Sequence, residues 1–281
     1  MTGIHRGSQV WIVGLVSAGL LLFAAFAVMA LATTAYAQEA FNPKPKSAEA
    51  AIDMVVMANR ILAGEGVFDA YGHVSIRNPE NPKTFFIARA VAPEQVTQKD
   101  VLEVDFEGDV ITQTTMKPYQ ERIIHASIYK VRPDVNSVIH AHPEPIIAFS
   151  ISDVPLRPIR DAKFCPSVPV YDEYDFVTPG NTGMLVTTKD QGERLARRLG
   201  SGLAVLMRGH GYTVVGSTLP GAVANAISLR DNAVISLMAV QLGKPKYLSA
   251  EECAATRGNP DPERAWNAWV QRVKKAMPDM R

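Results

Sequence analysis

The chain has 281 residues, a formal net charge of +1 and 47% apolar residues. Acids and bases are interspersed, which excludes the basic footprint of a nucleic-acid binder and leaves small solutes as the default partners. The apolar share supports a core without covalent staples, and two cysteines, Cys165 and Cys253, are too few for a disulfide framework. Their separation leaves open whether they pair, neither sits at metal-ligand spacing, and no role is assigned to them.

His5 and Arg6 make a basic start, an uncharged run extends from Gly7 past Leu31, and Ala35-Tyr36-Ala37 is a small-x-small cleavage site. Residues 1–37 therefore read as a signal peptide whose removal leaves an exported, periplasmic protein. The alternative is an uncleaved N-terminal membrane anchor, since an apolar run of roughly 20 residues can span a bilayer. Residues 38–47, where Pro43 and Pro45 alternate with Lys44 and Lys46, form a linker. The domain of residues 48–281 follows, at roughly 240 residues a normal size for one α/β unit.

From Ala48 onward, Ile52, Val55, Val56, Asn59 and Leu62 recur at helical spacing until Gly64 and Gly66 end the helix. Residues 71–77 and 84–88 read as strands joined by a turn containing Pro79 and Pro82. Residues 101–104 and 110–112 flank Glu107-Gly108-Asp109 as a second hairpin. A helix is predicted over 119–131, placing Glu121 and His125 on one face. Residues 137–143 form a buried strand, 145–150 the first turns of a helix and 168–171 a short strand. Thr178 to Gly183 is a loop, and 189–199 a basic helix leading into the apolar strand 203–207. Residues 219–242, apolar at a period of 3.6 and charged only at Arg230 and Asp231, predict a long, largely buried helix. Trp266, Trp269 and Val273 mark one face of a docking helix within 260–277. Hairpins with helices before and after predict an α/β fold, a layered sandwich around a mostly antiparallel sheet.

The chemistry concentrates at histidines. Along Ser137-Val-Ile-His140-Ala-His142-Pro143, alternation puts His140 and His142 on one face, and Pro143 stops the ladder, so both rings can reach one ion. His210, in Arg208-Gly209-His210-Gly211 directly after an apolar strand, is a third ligand candidate; its flanking glycines let the backbone come close. Three neutral imidazoles hold a divalent ion with positions left open, as in a catalytic site. Zinc is the first choice, with manganese, nickel or ferrous iron accepted by the same ligands.

Glu121, His125, Arg132-Pro133-Asp134-Val135, His140-Ala-His142-Pro143 and Gly209-His210-Gly211, in that order, resemble the class II aldolase/adducin family, across about residues 48–247. Its zinc-dependent members include fuculose-phosphate aldolase and ribulose-phosphate epimerase. Ala58-Asn59-Arg60-Ile61-Leu62, Asp69-Ala-Tyr-Gly-His73-Val-Ser-Ile-Arg77, Arg89-Ala90 and Pro118-Tyr119-Gln120-Glu121-Arg122 are most similar to its hydroxy-carboxymuconic semialdehyde decarboxylases. The resemblance implies a three-layer α/β/α sandwich and a homotetramer with sites between protomers. It also implies Glu121 as the acid/base beside the metal and Tyr247 as a proton donor across a subunit boundary. His125, one turn after Glu121, either orients that glutamate or is a structural histidine. Members that take phosphorylated sugars cradle phosphate with Gly-Asn, Thr-Gly and Ser-Ser pairs, where this chain has Gly72-His73, Arg89-Ala90 and Tyr119-Gln120. His73, Arg77, Arg89 and Tyr119 are therefore the substrate-binding candidates, for a carboxylate.

The expected function is that of a metal-dependent carbon–carbon lyase that decarboxylates a hydroxy-carboxymuconic-semialdehyde-type acid from aromatic breakdown, the metal stabilising enolate charge. The alternatives are an aldolase acting on an unphosphorylated hydroxy-acid or aldehyde, a ferrous oxygenase on the same scaffold, and a non-catalytic member resembling the cytoskeletal adducins. Export is the feature that fits the decarboxylase reading least.

Overall fold

A computed structural model describes residues 44–159, 161–176, 184–255 and 262–277. The signal peptide expected at 1–37, most of the linker and the Thr178 to Gly183 loop lie outside the described residues.

Seven strands form one sheet: β1 (His73–Arg77), β2 (Thr84–Ala88), β3 (Val101–Asp105), β4 (Ser137–Ala141), β5 (Val170–Tyr171), β6 (Ala204–Met207) and β7 (Gly211–Gly216), in the order β3-β2-β1-β4-β7-β6-β5. Every neighbouring pair is antiparallel except β5 with β6. β4, at the centre, is buried at all of its positions, because helices cover both faces of the sheet. Its register sets His140 opposite His73 on β1 and opposite Thr213 on β7.

On one face lie α1 (Ala48–Gly64), α3 (Glu144–Ser150), α5 (Leu219–Leu242) and α7 (Glu263–Ala276). The opposite face carries α2 (Arg122–Val131) and α4 (Lys189–Leu199), packed on each other over Phe85, Ile87, Val138, Val205 and Val215. This is the expected α/β/α sandwich. Local chemistry sets the helix starts: Ser47 caps α1 by accepting from the Ala50 N–H at 3.2 Å, and Thr218 does the same for α5 through Gly221 at 3.1 Å.

Several boundaries differ from the sequence reading. The helix expected from residue 119 begins at Arg122, because Pro118 bridges to Arg89 and the Tyr119 hydroxyl donates to the Val91 carbonyl at 2.6 Å. The second hairpin shrinks to a single bridge between Val104 and Val110. β7 and the short α6 (Ala250–Ala255) were not anticipated. α5 is, among the described residues, the one helix long and apolar enough to cross a membrane, but its first half is core, packed on β4 and β7. Its second half is not buried as expected: Met238 is 59% and Leu242 91% exposed. Cys165 and Cys253 form a disulfide.

Candidate active site

β4 ends by delivering His140 and His142 to the rim of the sheet, and the turn between β6 and β7 delivers His210 beside them. That turn depends on glycine twice. Gly209 has φ of 66°, and a Cβ on Gly211 would sit 2.1 Å from the Ala141 carbonyl oxygen, so only glycine lets β7 start against the end of β4. The Ser150 hydroxyl of α3 accepts from the Gly209 N–H at 2.9 Å and holds the turn in place. Glu121 enters from the residue preceding α2.

The four side chains converge: one donor atom from each of Glu121, His140, His142 and His210 lies within 4.8 Å of all the others. His140 Nε2 is 3.0 Å from His142 Nε2, and Glu121 Oε2 is 3.4 Å from His140 Nε2 and 3.6 Å from His210 Nε2. The opposite nitrogens are all engaged. His140 Nδ1 donates to the Tyr212 carbonyl at 3.0 Å, His210 Nδ1 to the Met184 carbonyl at 3.0 Å, and His142 Nδ1 to the Asp69 carboxylate at 3.1 Å. A ring that donates at Nδ1 keeps its lone pair at Nε2, so three lone pairs and one carboxylate oxygen face a common point. This donor set fits a divalent cation. Burial, with His140 adding to it, lowers His142 and holds His210 down at about 4, so both rings are neutral, as ligation requires. For Glu121, burial acts upward, while the Val186 N–H and any positive charge at the cluster act downward and favour the carboxylate.

The cluster opens into a cavity of about 880 Å³. Its wall is largely apolar, from Tyr71, Val91, Pro118 and Leu185 among others, and Lys117 is its one cationic side chain among the described residues. His73 and Tyr119 also line it, with their rings 4.6 Å apart. The Tyr119 hydroxyl is already committed to Val91, and burial pushes it up to about 12.

Three expected site residues lie elsewhere. Arg77, at the far end of β1, donates to the carbonyls of Pro82 at 3.0 Å, Tyr129 at 3.2 Å and Val135 at 3.2 Å, and its guanidinium sits over the Phe106 and Tyr129 rings. Its donors are consumed in tying the sheet to α2. Arg89 pairs with Asp100 at 2.6 Å outside the cavity wall, to which its neighbours Ala90 and Val91 contribute instead. Tyr247 lies under the Arg157 guanidinium at 4.9 Å and does not reach this chain's cavity. His125 makes no bond to Glu121; its Nε2 meets His73 Nδ1 at 2.7 Å.

Asp69 and Lys117 escaped the sequence reading. Asp69 accepts from the Tyr71 and Gly72 N–H groups at 2.9 and 3.0 Å, so its place in Asp69-Ala-Tyr-Gly carries a turn signal that also positions His142. Nothing in the sequence distinguishes Lys117 from other exposed lysines.

Comparison with known proteins shows the family to which this fold belongs. The chain is 33% identical over 240 residues to "Decarboxylase tropJ" of Talaromyces stipitatus, covering 76% of this chain and 90% of that protein. It is 28% identical to "3,4-dihydroxyphthalate decarboxylase" of Arthrobacter keyseri, covering 71% and 82% respectively. Among solved structures, L-fuculose 1-phosphate aldolase from Glaciozyma antarctica superimposes with a TM-score of 0.70 at 25% identity, covering 85% of this chain and 96% of the aldolase. Residues 53–237 match the family described as Class II Aldolase and Adducin N-terminal domain, and the chain belongs to that family as a lyase.

Proposed function

We propose that this protein is a metal-dependent decarboxylase of an aromatic-derived hydroxy acid carrying more than one carboxylate. The observation that carries the reading is the convergence of three Nε2 lone pairs and the Glu121 carboxylate at the wall of a largely apolar cavity with, among the described residues, a single ammonium. His140, His142 and His210 would hold the ion, with zinc the first choice and manganese, nickel or ferrous iron compatible with the same ligands. Once bound, the ion supplies a Lewis acid that stabilises negative charge as a carbon–carbon bond breaks.

The protein's own groups divide the remaining work. Glu121, ionised at neutral pH, accepts at Oε2 the proton of a substrate hydroxyl next to the departing carboxylate, and returns it to the carbon after carbon dioxide has left. Its other oxygen is fixed by the Val186 N–H at 3.0 Å, which keeps Oε2 turned to the cluster. Lys117 pairs with a second carboxylate, the role Arg89 was expected to fill. Apolar walls exclude water and take a flat ring. Among the described residues a sugar phosphate would meet no dedicated cradle, and the 3,4-dihydroxyphthalate decarboxylases among the relatives support an aromatic acid instead.

Two wider features belong to the same reading. The apolar second half of α5, with Met238 and Leu242 exposed, supports assembly into a homo-oligomer, a tetramer in the family resemblance. The Cys165–Cys253 disulfide supports export of the mature domain to the periplasm after loss of residues 1–37.

The test is a substrate screen with purified, metal-restored protein, beginning with 3,4-dihydroxyphthalate and hydroxy-carboxymuconic semialdehyde. Release of carbon dioxide that stops with chelator and returns with metal is the expected result. An aldehyde product in place of carbon dioxide selects the aldolase reading, and oxygen uptake by the iron-loaded protein selects an oxygenase.

A further inference from the structure

Beneath the ligand histidines, a second chain of polar side chains runs from the cavity wall into the interface between sheet and helix. His73 Nδ1 lies 2.7 Å from His125 Nε2, His125 Nδ1 lies 2.7 Å from Ser75 Oγ, and Ser75 Oγ lies 2.8 Å from the Tyr129 hydroxyl. Alternation along β1 puts His73 and Ser75 on one face, and one helical turn of α2 separates His125 from Tyr129, so two periodicities meet in register. None of the four is more than 1% exposed.

Such a chain has a direction, set by hydrogens that have only one good place to go. The Tyr129 hydroxyl can donate to Ser75 at 2.8 Å or to the Asn136 carbonyl at 3.4 Å, and the second distance is outside the usual O–H···O range. It therefore donates to Ser75. The single Ser75 hydrogen then goes to its other neighbour, His125 Nδ1, which leaves the His125 proton on Nε2 and makes His73 Nδ1 the acceptor. His73 is thereby the tautomer protonated at Nε2, and that N–H has no partner among the described residues.

The chain is not a proton conduit. Burial pushes the Tyr129 phenol well above its ordinary range, so the far end neither releases nor takes up a proton. Burial likewise keeps His73 and His125 neutral. What the chain can do is fix which nitrogen of His73 carries hydrogen.

We infer that His125, Ser75 and Tyr129 are positioning residues that hold His73 as a neutral Nε2–H donor at the cavity wall, so that this subsite selects a substrate oxygen acceptor, carboxylate or phenolate. The inference rests on the proposed use of the cavity for an aromatic acid and adds the group that recognises it. The sequence offered His73 as one of several carboxylate partners; the structure gives it one polar face and one hydrogen-bonding sense.

Long-range proton–nitrogen NMR correlations on histidine-labelled, zinc-loaded protein test this without reference to turnover, with the His73 signals assigned by His73→Gln. His73 is expected to show a protonated Nε2 and an unprotonated Nδ1, and phthalate, used as a dicarboxylate probe, to shift the Nε2–H signal. In Ser75→Ala the tautomers of His73 become mixed and the Kd for phthalate rises about tenfold, the loss of roughly one hydrogen bond, with metal content unchanged; Ser75→Thr restores both. A wild-type His73 protonated at Nδ1, or an Nε2–H signal indifferent to phthalate, overturns the inference even if Ser75→Ala does not fold. Absence of any decarboxylation with these spectra intact would instead overturn the functional reading.

Discussion

Glu121 Oε2 stands 3.4 Å from His140 Nε2 while Glu121 Oε1 accepts from Val186, so the carboxylate is both inside the cluster and restrained. Glu121→Gln preserves the shape and the Val186 bond but removes the carboxylate proposed to carry the proton. Steady-state assays should show kcat reduced about 10²–10⁴-fold, the usual worth of a positioned acid–base group. Asp69 acts one step further out, through His142 Nδ1 at 3.1 Å. Asp69→Asn should weaken zinc about 10–100-fold, measured by competition with a chelating dye. The histidines were legible in the sequence because residue type and spacing along β4, and the glycines around His210, both carry meaning. Asp69 was not, since a carboxylate ahead of a turn has no periodicity that points to its partner. Arg77 and Arg89 misled for a related reason: arginines at strand ends offer the same donors to backbone carbonyls and to Asp100 as they would to a substrate.

At the scale of elements, α6 shows what the disulfide does. It has six residues and buries none of them, too little to persist as an isolated helix. Cys253 within it is tied to Cys165, and the Leu248 N–H donates to the Pro158 carbonyl at 3.1 Å just before it. Reduction should therefore free residues 243–255 for proteolysis while the sheet stays folded, read by mass spectrometry of limited digests with and without reductant. Digestion patterns that do not change on reduction would show that packing alone holds this segment. α1 was legible because its apolar stripe ends at glycines, and α5 because a long run with almost no charge can only be helix; since α5 is apolar on every side, that run did not tell which half is buried. β7 is a hairpin partner of β6 across the three-residue turn that carries His210, but its other edge pairs with β4 more than 70 residues away, a contact with no local signal.

For the molecule as a whole, the buried histidines set a pH limit. Burial holds His125 down at about 3 against an ordinary value of 6.5, and His73 is lowered in the same direction. Between those values the unfolded chain binds protons that the folded one refuses, so stability is complete above about pH 6.5 and is lost as pH falls toward 3. Urea unfolding of the metal-free protein should show this as a decline on the order of 1 kcal/mol per pH unit for each such histidine. A flat profile would mean that these rings are solvated or already charged in the fold.

The central claim, that His140, His142 and His210 together hold the ion on which decarboxylation depends, is tested most directly by titrating zinc into metal-free protein and measuring carbon dioxide release from 3,4-dihydroxyphthalate at each occupancy. Release should rise in proportion to bound metal and level off at one ion per chain, with His140→Ala neither retaining metal nor turning over. Carbon dioxide release that is independent of metal, or a His140→Ala protein that binds zinc as tightly as the unaltered chain, would contradict it.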